Sequence, residues 1–235
     1  IFKNPRYRGK HVILAAGKGT RLRPFTETTP KPLVDIAGRP LLEYVLDVLP
    51  KTIDGITIVI GYFGEQIQEH VGESYKGIPV RYVVQNRLDG TGGALELLQR
   101  DIAEATLVLN ADDIYAAHDL ARLTQFPLAV LARLTNDPVA NPFEVSSADL
   151  LRGFVPKRDI IPGVTYWQNC GAYMIDPRYF LEHVVEVPVR DGVEASIPHT
   201  LAALATHEKV HVVEATSWLP VGNPEELARA RELLS

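Results

Sequence analysis

The apolar run Val12-Ile13-Leu14 breaks directly into a glycine loop, Ala15-Ala16-Gly17-Lys18-Gly19-Thr20-Arg21-Leu22-Arg23-Pro24, and Thr29-Pro30-Lys31-Pro32 follows close behind. A short apolar run of this kind reads as a buried strand, so a sheet strand must end in a loop carrying fixed cations. Gly17 and Gly19 have no Cβ, which lets backbone N–H groups come close to an anion. Arg21 adds a planar fork for phosphate oxygens, and Lys31, stiffened between two prolines, adds a point charge. Together these residues suit a polyphosphate. Two familiar glycine loops are excluded by spacing. A dinucleotide fingerprint needs a third glycine near position 22, where Leu22 and Pro24 stand, and a P-loop needs four residues between its glycines, where Gly17 and Gly19 have only Lys18.

The rest of the chain supports a sheet flanked by helices. Strand-like apolar runs are expected at 11–15, 56–60, 80–84, 106–110, 127–133, 170–175 and 209–214, alternating with helical periodicity at 41–49, 64–71, 93–102, 117–125, 196–206 and 223–234. Pro40 falls in the first turn of the first helix, and Asn223 is the expected N-cap of the last. This alternation predicts an α/β fold. The stretch 136–162, with Pro138, Pro142, Gly153, Pro156 and Pro162, reads as irregular and as a small substrate lobe.

Composition narrows the function classes. With 235 residues and 46% hydrophobic content, the chain can bury one sizeable core and is read as a single domain, 1–235. A formal net charge of −5 argues against a nucleic-acid surface. The one cysteine, Cys170, excludes an internal disulfide and a thiolate metal cluster. No apolar stretch approaches a membrane span and no signal peptide precedes the first strand, so a soluble, cytoplasmic protein without a membrane partner is expected. The seven histidines are scattered without ligand spacing, and His70, His118, His183 and His199 read as surface or packing residues.

Two strand ends supply further candidates. Thr106-Leu107-Val108-Leu109-Asn110 delivers Ala111-Asp112-Asp113 at its carboxyl end, where open α/β sheets place ligands, and a carboxylate there can hold Mg²⁺ alongside phosphates. Asp113 reads equally as a helix N-cap. Gln85-Asn86-Arg87-Leu88-Asp89-Gly90-Thr91-Gly92-Gly93 offers an amide to a base edge and glycines for a flat ligand, although Asp89-Gly90 is also an ordinary turn signal.

From Leu14 to Pro40 the sequence resembles the signature of the sugar-1-phosphate nucleotidyltransferases: Gly-x-Gly-Thr-Arg-Leu, Pro, Pro-Lys-Pro and Gly-x-Pro, the last as Gly38-Arg39-Pro40. The resemblance implies a three-layer, Rossmann-like (GT-A-like) fold with a predominantly parallel mixed sheet, a nucleotide-binding part at 1–135 and a sugar-phosphate-binding part at 136–235. It implies transfer of a nucleoside monophosphate from an NTP to a sugar 1-phosphate, with Mg²⁺ as cofactor and pyrophosphate as product. Carried onto this sequence, Arg21 and Lys31 meet the triphosphate, and Leu14, Ala15, Gly17, Gly19, Thr20, Gln85, Gly90 and Thr91 bind the nucleotide. Asp112 holds the metal, and Lys157, with Arg158 as a rival, grips the sugar phosphate. Asn169 and Gly171, from a strand similar to the family's Asn-x-Gly-x-Tyr, and Glu194 face the sugar.

Two departures from the family pattern stand out. Pro156 replaces the glutamate that commonly precedes the lysine, and Pro220 replaces the aspartate of Trp-x-Asp-x-Gly, which often supplies a second metal carboxylate. Asn223 and Asp113 are the remaining candidates for that second ligand. Alternatives therefore stay open: a cytidylyltransferase acting on a nonsugar phosphate, or a noncatalytic nucleotide-sugar sensor. The base, the sugar and the oligomeric state are also open. Gln85 suits a pyrimidine, while Gly90-Thr91-Gly92-Gly93 is similar to relatives that use guanosine triphosphate.

Overall fold

A computed structural model describes residues 9–50, 53–138, 142–189 and 192–235. Its centre is a mixed sheet in the order Ser74–Tyr75, Ile78–Val84, Ile53–Ile60, Gly9–Ala15, Thr106–Asn110, Tyr166–Ile175, Phe143–Val145 and Leu151–Phe154. The strands from Ile78–Val84 through Thr106–Asn110 are all parallel. Tyr166–Ile175 runs antiparallel to Thr106–Asn110 and also pairs with Ala129–Thr135, which carries His211–Glu214 in parallel. Helices α1 (Leu41–Asp47), α2 (Gly64–Val71), α3 (Gly90–Glu96), α4 (Ala117–Leu123) and α5 (Ile197–Leu204) cover the sheet, and α6 (Pro224–Leu234) packs to one side of it. The result is the α/β architecture read from the sequence.

Strand alternation explains the layers. Ile13 and Ala15 point into one apolar cluster with Leu42, Val45 and Leu46 of α1, Ile67 of α2, and Leu120 and Leu123 of α4. Val12 and Leu14 point into the opposite cluster with Ala94 and Leu95 of α3 and Ile197 and Leu201 of α5. A strand covered on both faces must be apolar at nearly every position, which is why 12–14 and 107–109 read as continuous runs. A third cluster, Leu22, Val34, Ile36, Leu41, Val221, Leu227 and Ala230, packs the segment after the glycine loop against α6.

Register sets where a ligand can sit. Leu14 pairs with Asn110 and Val59, and Ile60 pairs with Ala15 and Val84. The carboxyl ends of all four parallel strands therefore finish at one level, and the loops beginning at 16, 61, 85 and 111 leave from a single edge.

Several boundaries move for local reasons. The strand expected at 127–133 is Ala129–Thr135, since Pro127 cannot donate to a ladder. Pro40 precedes α1 rather than lying in its first turn, and α1 ends at Asp47. The helix expected at 93–102 starts at Gly90 and ends at Glu96. The stretch 136–162 is not an irregular lobe in its described part: Phe143–Val145 and Leu151–Phe154 extend the main sheet, with Phe143 buried. A hairpin, Glu186–Val189 with Gly192–Ala195, was not expected from the sequence. Residues 139–141, within the expected lobe, lie outside the described residues.

Candidate functional site

The glycine loop is built around Lys31. Gly19 adopts φ +61°, and a Cβ there would stand 2.9 Å from the Lys31 Cβ and 3.1 Å from the Thr26 Cγ2. Thr26 Oγ1 donates to the Gly19 carbonyl at 2.8 Å and Leu22 N–H to the same carbonyl at 2.9 Å, so the loop folds back over the lysine stem. Lys31 is buried, and its Nζ meets Asp112 Oδ2 at 2.5 Å. Gly17 faces open space, and Lys18, Thr20 and Arg21 are exposed beside it. The Arg21 guanidinium lies against Gly222, where a Cβ would come within 3.3 Å of it. Leu14 and Ala15 close the strand, with Ala111 N–H donating to the Leu14 carbonyl at 3.0 Å.

Two adjacent aspartates have opposite settings. The Asp112 side chain is 36% exposed and faces Lys31. Asp113 is buried, and the pKa of its carboxyl is pushed well above the usual carboxylate range, first by burial and then by the neighbouring Asp112 charge. Tyr115 Oη lies 3.4 Å from Asp113 Oδ2 and donates to the Gly171 carbonyl at 3.0 Å. A Cβ on Gly171, which sits at φ +72° on an irregularity in its strand, would run into the Asn110 amide and stand 2.8 Å from Asp113 Oδ2. Asp113 is therefore not a cap for α4: it begins a short strand, Asp113–Tyr115, paired with Trp218–Pro220.

That pairing puts Pro220 opposite Asp113, and Val221 N–H donates to the Asp112 carbonyl at 3.2 Å. The position therefore adjoins Asp112, but a proline side chain offers no ligand atom. Asn223 Oδ1 accepts from Glu226 N–H at 2.9 Å as the N-cap of α6, as the sequence suggested. Among the described residues no cluster of three or more His, Cys, Asp or Glu converges on a metal position. One accessible carboxylate beside a glycine loop fits Mg²⁺, which takes few protein oxygens and completes its shell with phosphates and water.

The loop at 85–90, expected to face the base, is tightly tied. Gln85 is buried, and its Nε2 donates to Asp89 Oδ1 at 2.8 Å and to the Gly90 carbonyl at 3.1 Å. Gly90, at φ +95°, lies under the hairpin: a Cβ would strike the Ala195 carbonyl and approach the Glu194 Cβ to 2.9 Å. Ala195 N–H donates to the Asp89 carbonyl at 2.7 Å. The Thr91 hydroxyl accepts from Ile197 N–H at 3.3 Å, at the start of α5, so its side chain holds the fold.

The acceptor candidates are looser. Glu194 is exposed on the hairpin, next to Gly90. Lys157 is exposed in a single turn, Lys157–Asp159, and Arg158 faces its neighbour Asp159 at 3.7 Å. Asn169 folds back on its own strand, donating to Tyr173 Oη at 2.8 Å and accepting from Gly171 N–H at 3.1 Å. The structure thus joins Lys31 to Asp112, Gln85 to Gly90, and Gly90 to Glu194, while Lys157 stands on a turn of its own. Sequence reading passed over Asp89 and Tyr115. For Asp89 a signal existed, since Gln85, Asp89 and Gly93 are four residues apart at the mouth of a helix. The expected packing histidines divide: His199 is half-buried, with Ser196 Oγ 2.7 Å from its Nδ1, and burial lowers its pKa, whereas His70 reaches Glu43 at the surface.

The chain is 31% identical over 227 residues to the bifunctional protein GlmU of Methanococcus maripaludis, covering 93% of this chain and 53% of that protein. It is 28% identical to GlmU of Methanocaldococcus jannaschii over 95% of this chain and 53% of that one. The UTP--glucose-1-phosphate uridylyltransferase AglF of Haloferax volcanii is 38% identical over 108 residues, 46% of this chain and 44% of that protein. The chain thus spans about half the length of the curated relatives it matches. Among solved structures, a Bacillus anthracis protein assigned as a glucose-1-phosphate thymidylyltransferase and solved with sucrose superposes with TM-score 0.80 at 21% identity, covering 97% of this chain and 95% of that one. HddC from Yersinia pseudotuberculosis, complexed with GMP-PN, gives 0.72 at 22% identity over 97% and 100% of the two chains. Both share the fold. No helix among the described residues is long and apolar enough to cross a membrane. The model of the nucleotidyl transferase family matches residues 10–134, just over half of the chain and the whole span from the first strand to Asp112 and beyond, and the chain belongs to that family.

Proposed function

We propose that the chain transfers a nucleoside monophosphate from an NTP to a sugar 1-phosphate, releasing pyrophosphate. The observation that carries this reading is the meeting of Lys31 and Asp112 at 2.5 Å, one from the segment behind the glycine loop and one from the end of the neighbouring strand. A cation and a carboxylate so placed suit a polyphosphate, Lys31 by direct contact and Asp112 as the residue that would hold a divalent ion. Mg²⁺ on Asp112, when bound, would draw charge from the phosphate oxygens of both substrates.

The sugar-phosphate oxygen is already anionic at neutral pH and needs no general base. It attacks the α-phosphorus in line, the new P–O bond forms, and the bond to pyrophosphate breaks with its electron pair leaving on that group. The protein's part is alignment and charge neutralisation. Arg21 and Lys31 steady the triphosphate, Gln85 and Gly90 seat the base, and Lys157 and Glu194 receive the acceptor.

The test is pyrophosphate release with Mg²⁺ across UTP, dTTP, GTP, CTP and ATP, each crossed with hexose 1-phosphates and nonsugar phosphates, with Asp112→Ala as control. Release that requires a sugar phosphate and falls by about a hundredfold or more in the control supports the reading. Release with a nonsugar phosphate alone would replace it with the cytidylyltransferase-type alternative. Nucleotide-sugar binding without turnover would favour a sensor, for which Pro220 beside Asp113 is the supporting feature.

A further inference from the structure

The Gln85 amide has been oriented by its neighbours. A primary amide offers two N–H donors and one acceptor oxygen. Here Nε2 faces the Asp89 carboxylate at 2.8 Å and the Gly90 carbonyl at 3.1 Å, both pure acceptors. Turning the amide over would set its oxygen against two other oxygens. Its donors are thus committed, and Oε1 accepts no hydrogen bond among the described residues.

Independent contacts fix Asp89 in this role. A Cβ on Gly93 would collide with Asp89 Oδ1, so the carboxylate occupies space that only glycine leaves open at that position. Arg87 Nε stands 3.7 Å from the other carboxylate oxygen. The Asp89 backbone carbonyl is pinned by Ala195 N–H at 2.7 Å, which ties the turn to the hairpin.

We propose that Asp89 is a positioning residue that makes Gln85 an obligate acceptor, committing the base pocket to nucleobases with a ring N–H (uracil, thymine or guanine) over cytosine and adenine. The inference rests on the nucleotidyl-transfer reading of this site. The uracil and thymine N3–H and the guanine N1–H donate from the ring itself. Cytosine and adenine carry an unprotonated ring nitrogen there and their nearest donor on the exocyclic amino group. They can satisfy Oε1 only by sliding along the edge, against a triphosphate anchored at the glycine loop.

Two variants and a binding panel test this. Asp89→Asn keeps the size but can present either an oxygen or an N–H to Gln85, and Gly93→Ala pushes the carboxylate aside. Binding of UTP, dTTP, GTP, CTP and ATP with Mg²⁺ is measured by calorimetric titration on the wild type and both variants, with inorganic tripolyphosphate as the base-free probe. The wild type is expected to bind at least one of UTP, dTTP and GTP about tenfold or more tighter than CTP and ATP. Both variants should lose most of that ratio while tripolyphosphate binding stays unchanged. A purely structural role would weaken all five nucleotides together and leave the ratio intact, which would overturn the proposal. A wild type that prefers CTP or ATP would overturn it too, yet leave nucleotidyl transfer standing. Failure of every triphosphate to bind would remove both.

Discussion

The proposed nucleotide half and the proposed acceptor half of the site are built differently. On the nucleotide side each candidate residue also supports the fold: Gly19 makes room for the Lys31 stem, Lys31 pairs with Asp112, and Gln85 closes the turn at Asp89 and Gly90. On the acceptor side Lys157 and Glu194 are exposed, and the Asn169 amide is spent on its own strand. A triphosphate is a highly charged group that rewards preorganised contacts, and the first half holds its polar groups in place through contacts of its own. The second half leaves long side chains in water, which suits a group closing around an acceptor.

The sharpest way to break this contrast is a pair of lysine variants. Lys31→Ala removes a buried cation at the phosphate loop and is expected to lower kcat/KM by about 10²–10³-fold. Lys157→Ala removes a solvated cation and should raise KM for the sugar phosphate by about tenfold, leaving KM for the NTP unchanged. Steady-state kinetics with each substrate varied in turn decides it. Equal losses from the two variants would mean that the halves are equally organised.

Glycines give the next largest effect. Gly171→Ala would force φ +72° on a residue with a Cβ and drive that atom into Asn110 and Asp113, so the expected cost is about 2–4 kcal/mol of stability. Gly17→Ala meets nothing within 4 Å and should change stability by less than about 0.5 kcal/mol while still reducing turnover if, as proposed, the glycine admits a ligand. Urea unfolding of both variants, set beside their activities, separates a glycine that packs from one that binds.

The same contrast explains what the sequence made legible. Thr106–Asn110 matches its expected bounds because a strand buried on both faces is an unbroken apolar run. The phosphate loop was readable because its residues are neighbours in the chain. Asp113 was not, since the feature that buries it, the Trp218–Pro220 strand, comes from about a hundred residues later. Asp89 looked like a turn former because its second job depends on Gly93 being absent of side chain and on a distant hairpin. The strands Phe143–Val145 and Leu151–Phe154, at the far end of the sheet, were hidden by the prolines and serines around them, although Phe143 and Leu151 mark their inward faces.

The smallest effect tests whether the rigidity of the nucleotide half comes from the scaffold or from the site. Asp47, at the end of α1, accepts from Tyr75 Oη at 2.7 Å, from Arg39 Nη2 at 2.8 Å and from Lys76 Nζ, tying the helix to the edge strand Ser74–Tyr75. Burial alone would raise its pKa, but the hydrogen bonds from Lys76, Arg39 and Tyr75 outweigh it and hold the carboxyl at about 2. An unfolded aspartate titrates near about 3.9, so the folded state gains stability that is complete above that pH and is lost as the pH falls through about 2. Asp47→Asn should therefore cost about 1 kcal/mol at pH 7, after allowance for a partly exposed pair. The cost should shrink between pH 4 and pH 2, approximately where the wild-type carboxyl takes up its proton. Urea unfolding at pH 7 and pH 2.5 measures the gap. A constant gap would assign the network to neutral hydrogen bonding, and an accompanying rise in KM for the NTP would show that the phosphate loop depends on this distant edge of the sheet.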